Sequence, residues 1–465
     1  MNIKNFKVWE SKYKESWFSV KPGENGFLPI GSPLDKLPEK YEKLEEILKK
    51  MKIVQKDGNN GYIYNNELKD IVQSELPFYD VKDETDKQLV AGLFRDFCFL
   101  AAAYSLESSH TTINSEKTYA KAVDIIPIKI AEPLLVLSEK VGVYPWLDYA
   151  HGYGLNNAVF VGDDKKNHKC YKTVRTFNGC DSEEGFINVH VAMVAQTGDL
   201  LKHQQNILYN ISNNDRIKFN EALKEHYNIF SNIIETLQTM WKASNYIDYL
   251  SFRTFIMGQK GNDLCYPDEN LKFYRKDGTV ELHSYRGETG AQDSIIPSID
   301  NLFQLKYPRN KLTEYLYDLR SYRPKDHQEY INFCGFYSDE LGFKDYVYEN
   351  TKSCILLLKN LNCLRMFRKK HWNLTKKYII ENTKHPVATG GTPITTWLPN
   401  QLGATLEYMS DIVDLLNSRE DIGEDIEFFT NIKLELSDHI QSIMDEVNSM
   451  QRDFNEQNHD EYLKR

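Results

Sequence analysis

The chain has 465 residues, 41% hydrophobic and 12% aromatic, enough to bury a sizeable core in one large domain or in two or three smaller ones. A net charge of −10 and a pI of about 5.7 argue against a general nucleic-acid binder or a binder of acidic membranes, either of which would show a basic excess. Mean hydropathy is −0.56, no run approaches the ~20 apolar residues of a membrane span, and the polar start MNIKNFKVWESKYKESWF lacks an apolar secretory core, so a soluble cytoplasmic protein is expected.

In chain order, LPEKYEKLEEILKKMKIV (37–54) predicts an amphipathic helix and QLVAGLFRDFCFLAAAYSL (88–106) a buried one. A polar, Gly-containing loop over 161–185 precedes the helical stretch GFINVHVAMVAQTGDLLKHQQNIL (185–208). KFNEALKEHYNIFSNIIETLQTMWKAS (218–244) predicts a long helix. LKFYRKDGTVELHSY (271–285) alternates on both sides of Asp277-Gly278, a hairpin signature. Residues 346–380 read as one more helix, about 50 Å long at 1.5 Å per residue. After VATGGTP (387–393), whose Gly390 and Gly391 suit a flexible lid or hinge, two amphipathic helices form a C-terminal tail. The whole is expected to be mainly helical (all-α) with one short β-hairpin. A small N-terminal helical domain (1–175), a large helical domain (176–400) and a C-terminal extension (401–465) are expected.

Few motifs carry chemistry by themselves. Seven cysteines, with no CxxC pair, read as reduced core residues rather than a disulfide or zinc framework. There is no Walker A sequence, no dinucleotide GxGxxG and no HExxH, and GQKGN (258–262) is too short for a phosphate loop. One histidine stands out. Leu357, Leu361, Leu364 and Phe367 step by helical intervals that continue through His371, Leu374 and Tyr378. His371 therefore shares the apolar stripe, while Lys369, Lys370, Lys376 and Lys377 point elsewhere. A buried imidazole needs a partner. Periodicity alone leaves two readings open, a hydrogen-bonded core histidine or a metal ligand.

Seven segments, in register over roughly residues 26–400, resemble the indoleamine 2,3-dioxygenase family of haem enzymes. They are GFLPIGSPLDKLP (26–38), PWLDYAHGYGLNN (145–157), SFRTFIMGQKGN (251–262), GETGAQDSIIPSID (287–300), LYDLRSYRPKDHQEYI (316–331), FRKKHWNLTKKYII (367–380) and ATGGT (388–392). The resemblance implies haem b as cofactor, with His371 as the proximal iron ligand. It implies L-tryptophan or a related indole and O2 as substrates. The product would be N-formylkynurenine, the first step of the kynurenine pathway. A monomer without nucleic-acid or membrane partners is expected.

The same resemblance implies the other site residues. Arg368 would lie near a haem propionate with Asp300 as its partner, and Arg253 would hold the substrate carboxylate. Tyr149 and Phe186 would pack on the indole ring and Ile379 would wall the pocket. Thr289 and Gly290 would be the small residues over the haem edge, and Thr389 would sit on a mobile loop near the substrate ammonium or a propionate. Two positions depart from the family pattern. His190 stands one turn after Phe186 where the animal enzymes have serine, and is expected as a distal polar group, an acceptor or base. Asp248 falls where an aromatic is usual, beside Tyr249 which keeps one; a carboxylate there would pair with the substrate ammonium or with Arg253. These departures motivate an alternative, a haem-dependent mono-oxygenase or a dioxygenase of a substituted indole. A haem sensor or carrier without turnover is the reading from another class.

Overall fold

The computed structural model describes residues 6–116, 118–307, 311–383, 387–391, 394–419, 422–436 and scattered positions up to 445. It is mainly helical, about 60% helix and 5% strand. The helices used below are α1 (Glu42–Lys50), α2 (Lys87–Leu106), α3 (Ile128–Val141), α4 (Asp181–Val194), α5 (Thr197–Ser212), α6 (Arg216–Gln238), α7 (Tyr246–Arg253), α8 (Ile295–Leu302), α9 (Lys325–Leu341), α10 (Thr351–Thr375) and α11 (Ile394–Asn417). The expected hairpin forms between β4 (Leu271–Tyr274) and β5 (Val280–His283), with Gly278 in the left-handed region at the turn. Beyond it, β1 (Ile125–Ile126) adds in parallel to β4, and β2 (Ala158–Phe160) pairs with β3 (Tyr171–Thr173) antiparallel.

Helix α2 is the buried helix expected over 88–106. Its 20 residues are apolar and long enough to cross a membrane by composition. It is instead the central core helix, packed on α3, with Arg95 and Asp96 buried at its middle. Arg95 Nε donates to Asp96 Oδ1 at 2.8 Å, and Arg175 Nη2 bridges Asp96 Oδ2 at 2.7 Å and Glu45 Oε2 of α1 at 2.6 Å. Such a network ties three distant segments together because each buried charge needs its partner. Buried apolar residues from Phe18 to Leu436 join one continuous core cluster, to which all three expected domain segments contribute.

Two long expected helices are split, each by side chain competing with main chain. The 185–208 stretch breaks at Ala195 and Gln196 into α4 and α5. Thr197 Oγ1 donates to the Val194 carbonyl at 2.6 Å and accepts from Phe27 N at 2.9 Å, while Gly23 N donates to the Gly198 carbonyl. The N-terminal segment thus occupies the break. The expected 346–380 helix begins only at Thr351, where Asn350 Oδ1 accepts from Ser353 N at 3.0 Å as an N-cap. It ends in a π-turn over Lys376–Ile380.

Helix α10 is held against α6 and α11. At the α6 contact His226 Nδ1 lies 2.7 Å from Asn360 Oδ1, and Asn360 Nδ2 donates to the carbonyls of Leu223 and Leu356. Both side chains are fully buried, and burial pushes His226 down to about 4. An unfolded histidine titrates near 6.5, so the unfolded chain binds the extra proton between pH 6.5 and 4. Stability from this site is present above pH 6.5 and is lost as pH falls toward 4. Urea unfolding of wild type against His226→Gln is expected to show the variant missing about 1.4 kcal/mol per pH unit of slope across that window; equal slopes would remove this role.

Candidate active site

One cavity of about 1730 Å³ of atom-free space, its open mouth included, lies beside α10. Its walls come from α4, α6, α7, α8, α10, the turn at 149–153 and the 387–391 loop.

The apolar stripe of α10 runs into it. Leu357, Leu361 and Leu364 are buried in the core, and from Phe367 onward the stripe lines the cavity through His371, Leu374, Tyr378 and Ile379. The π-turn carries Tyr378 and Ile379 to this face, and Tyr378 Oη anchors it by donating to the Ser244 carbonyl at 2.6 Å. From α4, Phe186 and His190 stand four residues apart on one face, ring centroids 4.9 Å apart. Tyr149 meets His190 edge-on at 5.7 Å. Its turn is set by Asp148 Oδ1, which accepts from His151 N and Gly152 N, and by Gln292 Oε1, which accepts from Tyr149 N at 2.9 Å. Gly290 lies beside the imidazole, where a Cβ would meet His190 Cε1 in ordinary contact at 3.6 Å, and Thr289 Oγ1 braces the turn by accepting from Ala291 N.

His190 and His371 are the two imidazoles of the cavity. Burial pushes each down to about 4, and His371 adds to the lowering of His190. Both are therefore neutral at pH 7, with a ring nitrogen lone pair to offer.

Buried cations line the edges. Arg368 Nη2 forks onto both oxygens of Asp300 at 2.8 Å; the guanidinium also bonds Tyr307 Oη, Thr405 Oγ1 and the Gln401 carbonyl. Burial pushes the Asp300 carboxyl up against the pull of Arg368. Arg253, fully buried, donates through Nη1 to Tyr119 Oη at 2.5 Å and through Nη2 to the Val387 carbonyl. Arg323 Nη2 holds the carbonyls of Ala291 and Asp293, and burial pushes its guanidinium down to about 9. Arg368 Nε, Arg253 Nε and Arg323 Nη1 are buried and have no protein partner among the described residues.

Twelve of the thirteen sequence-selected residues line this cavity: Tyr149, Phe186, His190, Tyr249, Arg253, Thr289, Gly290, Asp300, Arg368, His371, Ile379 and Thr389. Asp248 does not. Tyr249 and Arg253, four apart on α7, face the cavity, and the residue before Tyr249 is turned about 100° away. Its carboxylate accepts from Ser182 Oγ at 2.8 Å, so it pairs with a core hydroxyl rather than with Arg253 or a ligand. The 387–391 loop also differs from a free lid. The Thr389 carbonyl accepts from Gly258 N at 3.3 Å and Asn262 Nδ2 at 3.0 Å. A Cβ on Gly391 would lie 1.9 Å from the Lys260 carbonyl, and its φ is +88°, so glycine is required for this docking. Sequence reasoning missed Glu288, Asp293, Arg323, Tyr307 and Thr405. Glu288 and Asp293 were signalled only as charges inside the otherwise small and apolar GETGAQDSIIPSID, and Arg323 only as one charge among many in LYDLRSYRPKDHQEYI; Tyr307 and Thr405 carried no local signal.

These groups suit a flat cofactor bearing two carboxylates. Orphaned guanidinium donors call for anionic oxygens, the apolar walls suit a macrocycle, and one neutral histidine suffices where the macrocycle supplies the remaining ligands. No cluster of three or more His, Cys, Asp or Glu occurs among the described residues, so a bare multi-ligand metal site is not what they build.

Comparison with known proteins agrees with the earlier resemblance. The family described as indoleamine 2,3-dioxygenase matches residues 14–401. The indoleamine 2,3-dioxygenase nanC of Aspergillus nanangensis is 24% identical over 410 residues, 80% of this chain and 92% of the relative. An indoleamine 2,3-dioxygenase of Saccharomyces cerevisiae is 26% identical over 78% of this chain and 79% of its own length. Indoleamine 2,3-dioxygenase 1 of Mus musculus is 23% identical over 57% and 65%.

Removing Arg368 strands the Asp300 carboxylate in the core. Arg368→Ala is expected to cost about 3–5 kcal/mol in urea unfolding, and Arg368→Ala/Asp300→Ala clearly less than the sum of the single losses. Simple additivity in the double-mutant cycle would show that the two groups are not coupled.

Proposed function

The chain belongs to the indoleamine 2,3-dioxygenase family, and from that premise we propose that it is a haem-dependent dioxygenase of L-tryptophan or a related indoleamine. Both atoms of O2 would enter the indole C2–C3 bond and open the ring to N-formylkynurenine. The observation that carries this reading is the pairing of two neutral histidines, His371 and His190, in one large cavity that also holds the Arg253 guanidinium.

Each residue has a separable task. His371 offers a ring nitrogen to the haem iron, and Arg368 and Arg323 have open donors for the propionates. The bound haem supplies the binding and activation of O2, chemistry that no side chain here can perform. Phe186, Tyr149, Tyr249 and Ile379 would bound the indole ring and exclude water from it. Arg253 would take the substrate carboxylate through its open Nε edge. His190, kept neutral by its burial, would accept the indole N–H and so turn the C2–C3 edge toward the oxygen. Thr389 sits at the cavity wall on the docked loop, within the region that covers the substrate.

His190 also favours a second reading, in which a distal base steers the reaction to insertion of one oxygen atom. Asp248 no longer supports that alternative, because its carboxylate is occupied outside the cavity.

Reduced, haem-loaded protein given O2 and L-tryptophan is expected to yield a product heavier by two oxygen atoms in mass spectrometry. A gain of one oxygen would replace the dioxygenase reading by the second. His371→Ala is expected to lose the five-coordinate ferrous spectrum, and an unaltered haem spectrum would remove His371 as ligand. Arg253→Ala is expected to weaken L-tryptophan by about 2–3 kcal/mol while sparing tryptamine, which has no carboxylate; equal weakening of both would remove the clamp.

A further inference from the structure

Three acids line the cavity, and two are already engaged. Asp293 accepts from Ile295 N and Ile296 N at the start of α8, and Asp300 is taken by Arg368 and Tyr307. The third, Glu288, is 3% exposed, and no donor among the described residues reaches its carboxyl. The ionisable groups whose charge it feels or affects are Asp148, Tyr149, Tyr153 and Tyr249, none of them cationic. Burial and the nearby Asp148 push it up to about 8. A buried acid without a donor, beside a second acid, is a costly element of a fold unless a cation comes to it.

Its surroundings locate that cation. Glu288, Tyr249 and Arg253 line the same cavity, close enough that Tyr249 feels both the negative charge of Glu288 and the positive charge of Arg253. The 387–391 loop joins them from above. Its Val387 carbonyl accepts from Arg253, and its Thr389 carbonyl would lie 2.6 Å from a Cβ on Gly287, the neighbour of Glu288. Gln292 Nε2 fixes that strand by donating to the Gly287 carbonyl at 3.0 Å. An orphaned guanidinium edge and an unpartnered carboxyl in one cavity, both within reach of the 387–391 loop, form a site for an anionic and a cationic group together. A carboxylate and an ammonium on a single carbon match it.

We propose that Glu288 is a specificity-determining residue that accepts the α-ammonium of the ligand whose carboxylate Arg253 holds, so that the cavity selects zwitterionic amino acids over indoles lacking the amine. The inference rests on the indole reading of the cavity and narrows its substrate class. It assigns to Glu288 the role that sequence reasoning had offered to Asp248.

The test is equilibrium binding of L-tryptophan and of indole-3-propionate, which keeps ring and carboxylate but has no amine, to the haem-loaded protein by titration calorimetry. Wild type is expected to bind tryptophan roughly 10- to 100-fold more tightly than indole-3-propionate, the scale of a charge-assisted hydrogen bond. Glu288→Gln, similar in shape but uncharged, is expected to bring the ratio close to one by weakening tryptophan alone, with KM rising far more than kcat falls. Equal wild-type affinities overturn the proposal without any variant, and so does a preference that Glu288→Gln leaves intact. A protein that discriminates the pair through Glu288 yet oxidises neither compound would remove the dioxygenase reading and keep this one. Binding of neither compound would overturn both.

Discussion

Buried positive charge is the constraint on which this architecture turns. Arg253, Arg323 and Arg368 line the cavity while buried in the core, and each has one buried N–H donor without an acceptor among the described residues. An interior otherwise packed from Phe18 to Leu436 does not leave such donors idle without cost. Anionic oxygens from outside the chain would resolve it: under the proposed function, cofactor carboxylates at one edge and a substrate carboxylate at the other. The cavity is therefore a set of unmet electrostatic demands as much as a shape.

The neutral groups complete that set. His190 and His371 are held uncharged by burial, so each imidazole carries one N–H and one acceptor nitrogen rather than a positive charge. The acids divide by partner: Asp300 balances Arg368, Asp293 starts a helix, and Glu288 is left for the ligand. One wall thus binds by donating, another by accepting, and the aromatic residues between them exclude water and strengthen both.

Much of this was readable before any fold was known, and the failures share a cause. The stripe from Leu357 to Tyr378 was legible because helical spacing is a property of the chain alone. It led directly to His371 and to the cavity wall. The helix breaks at Ala195 and before Thr351 were not legible, since they depend on Thr197 meeting Phe27 and on Asn350 turning back to Ser353. Asp248 was chosen one position away from the face that counts, an error of about 100° around a helix axis. Glu288 was passed over for the opposite reason. Nothing in GETGAQ says that its carboxyl is buried without a donor, because that is a statement about every neighbour it lacks. The resemblance to a family carried Arg253, Arg368 and Asp300, which periodicity alone could not have joined.

The fork of Arg368 is closed from both directions along the chain. Its partners Asp300 and Tyr307 precede it in the chain, but Gln401 and Thr405 on α11 follow it, and Thr405 lies past the region shared with the family. In chain order, every other residue lining the cavity comes before Gln401 and Thr405. The cavity edge at Arg368 is therefore closed by a part of the chain that follows all its other walls.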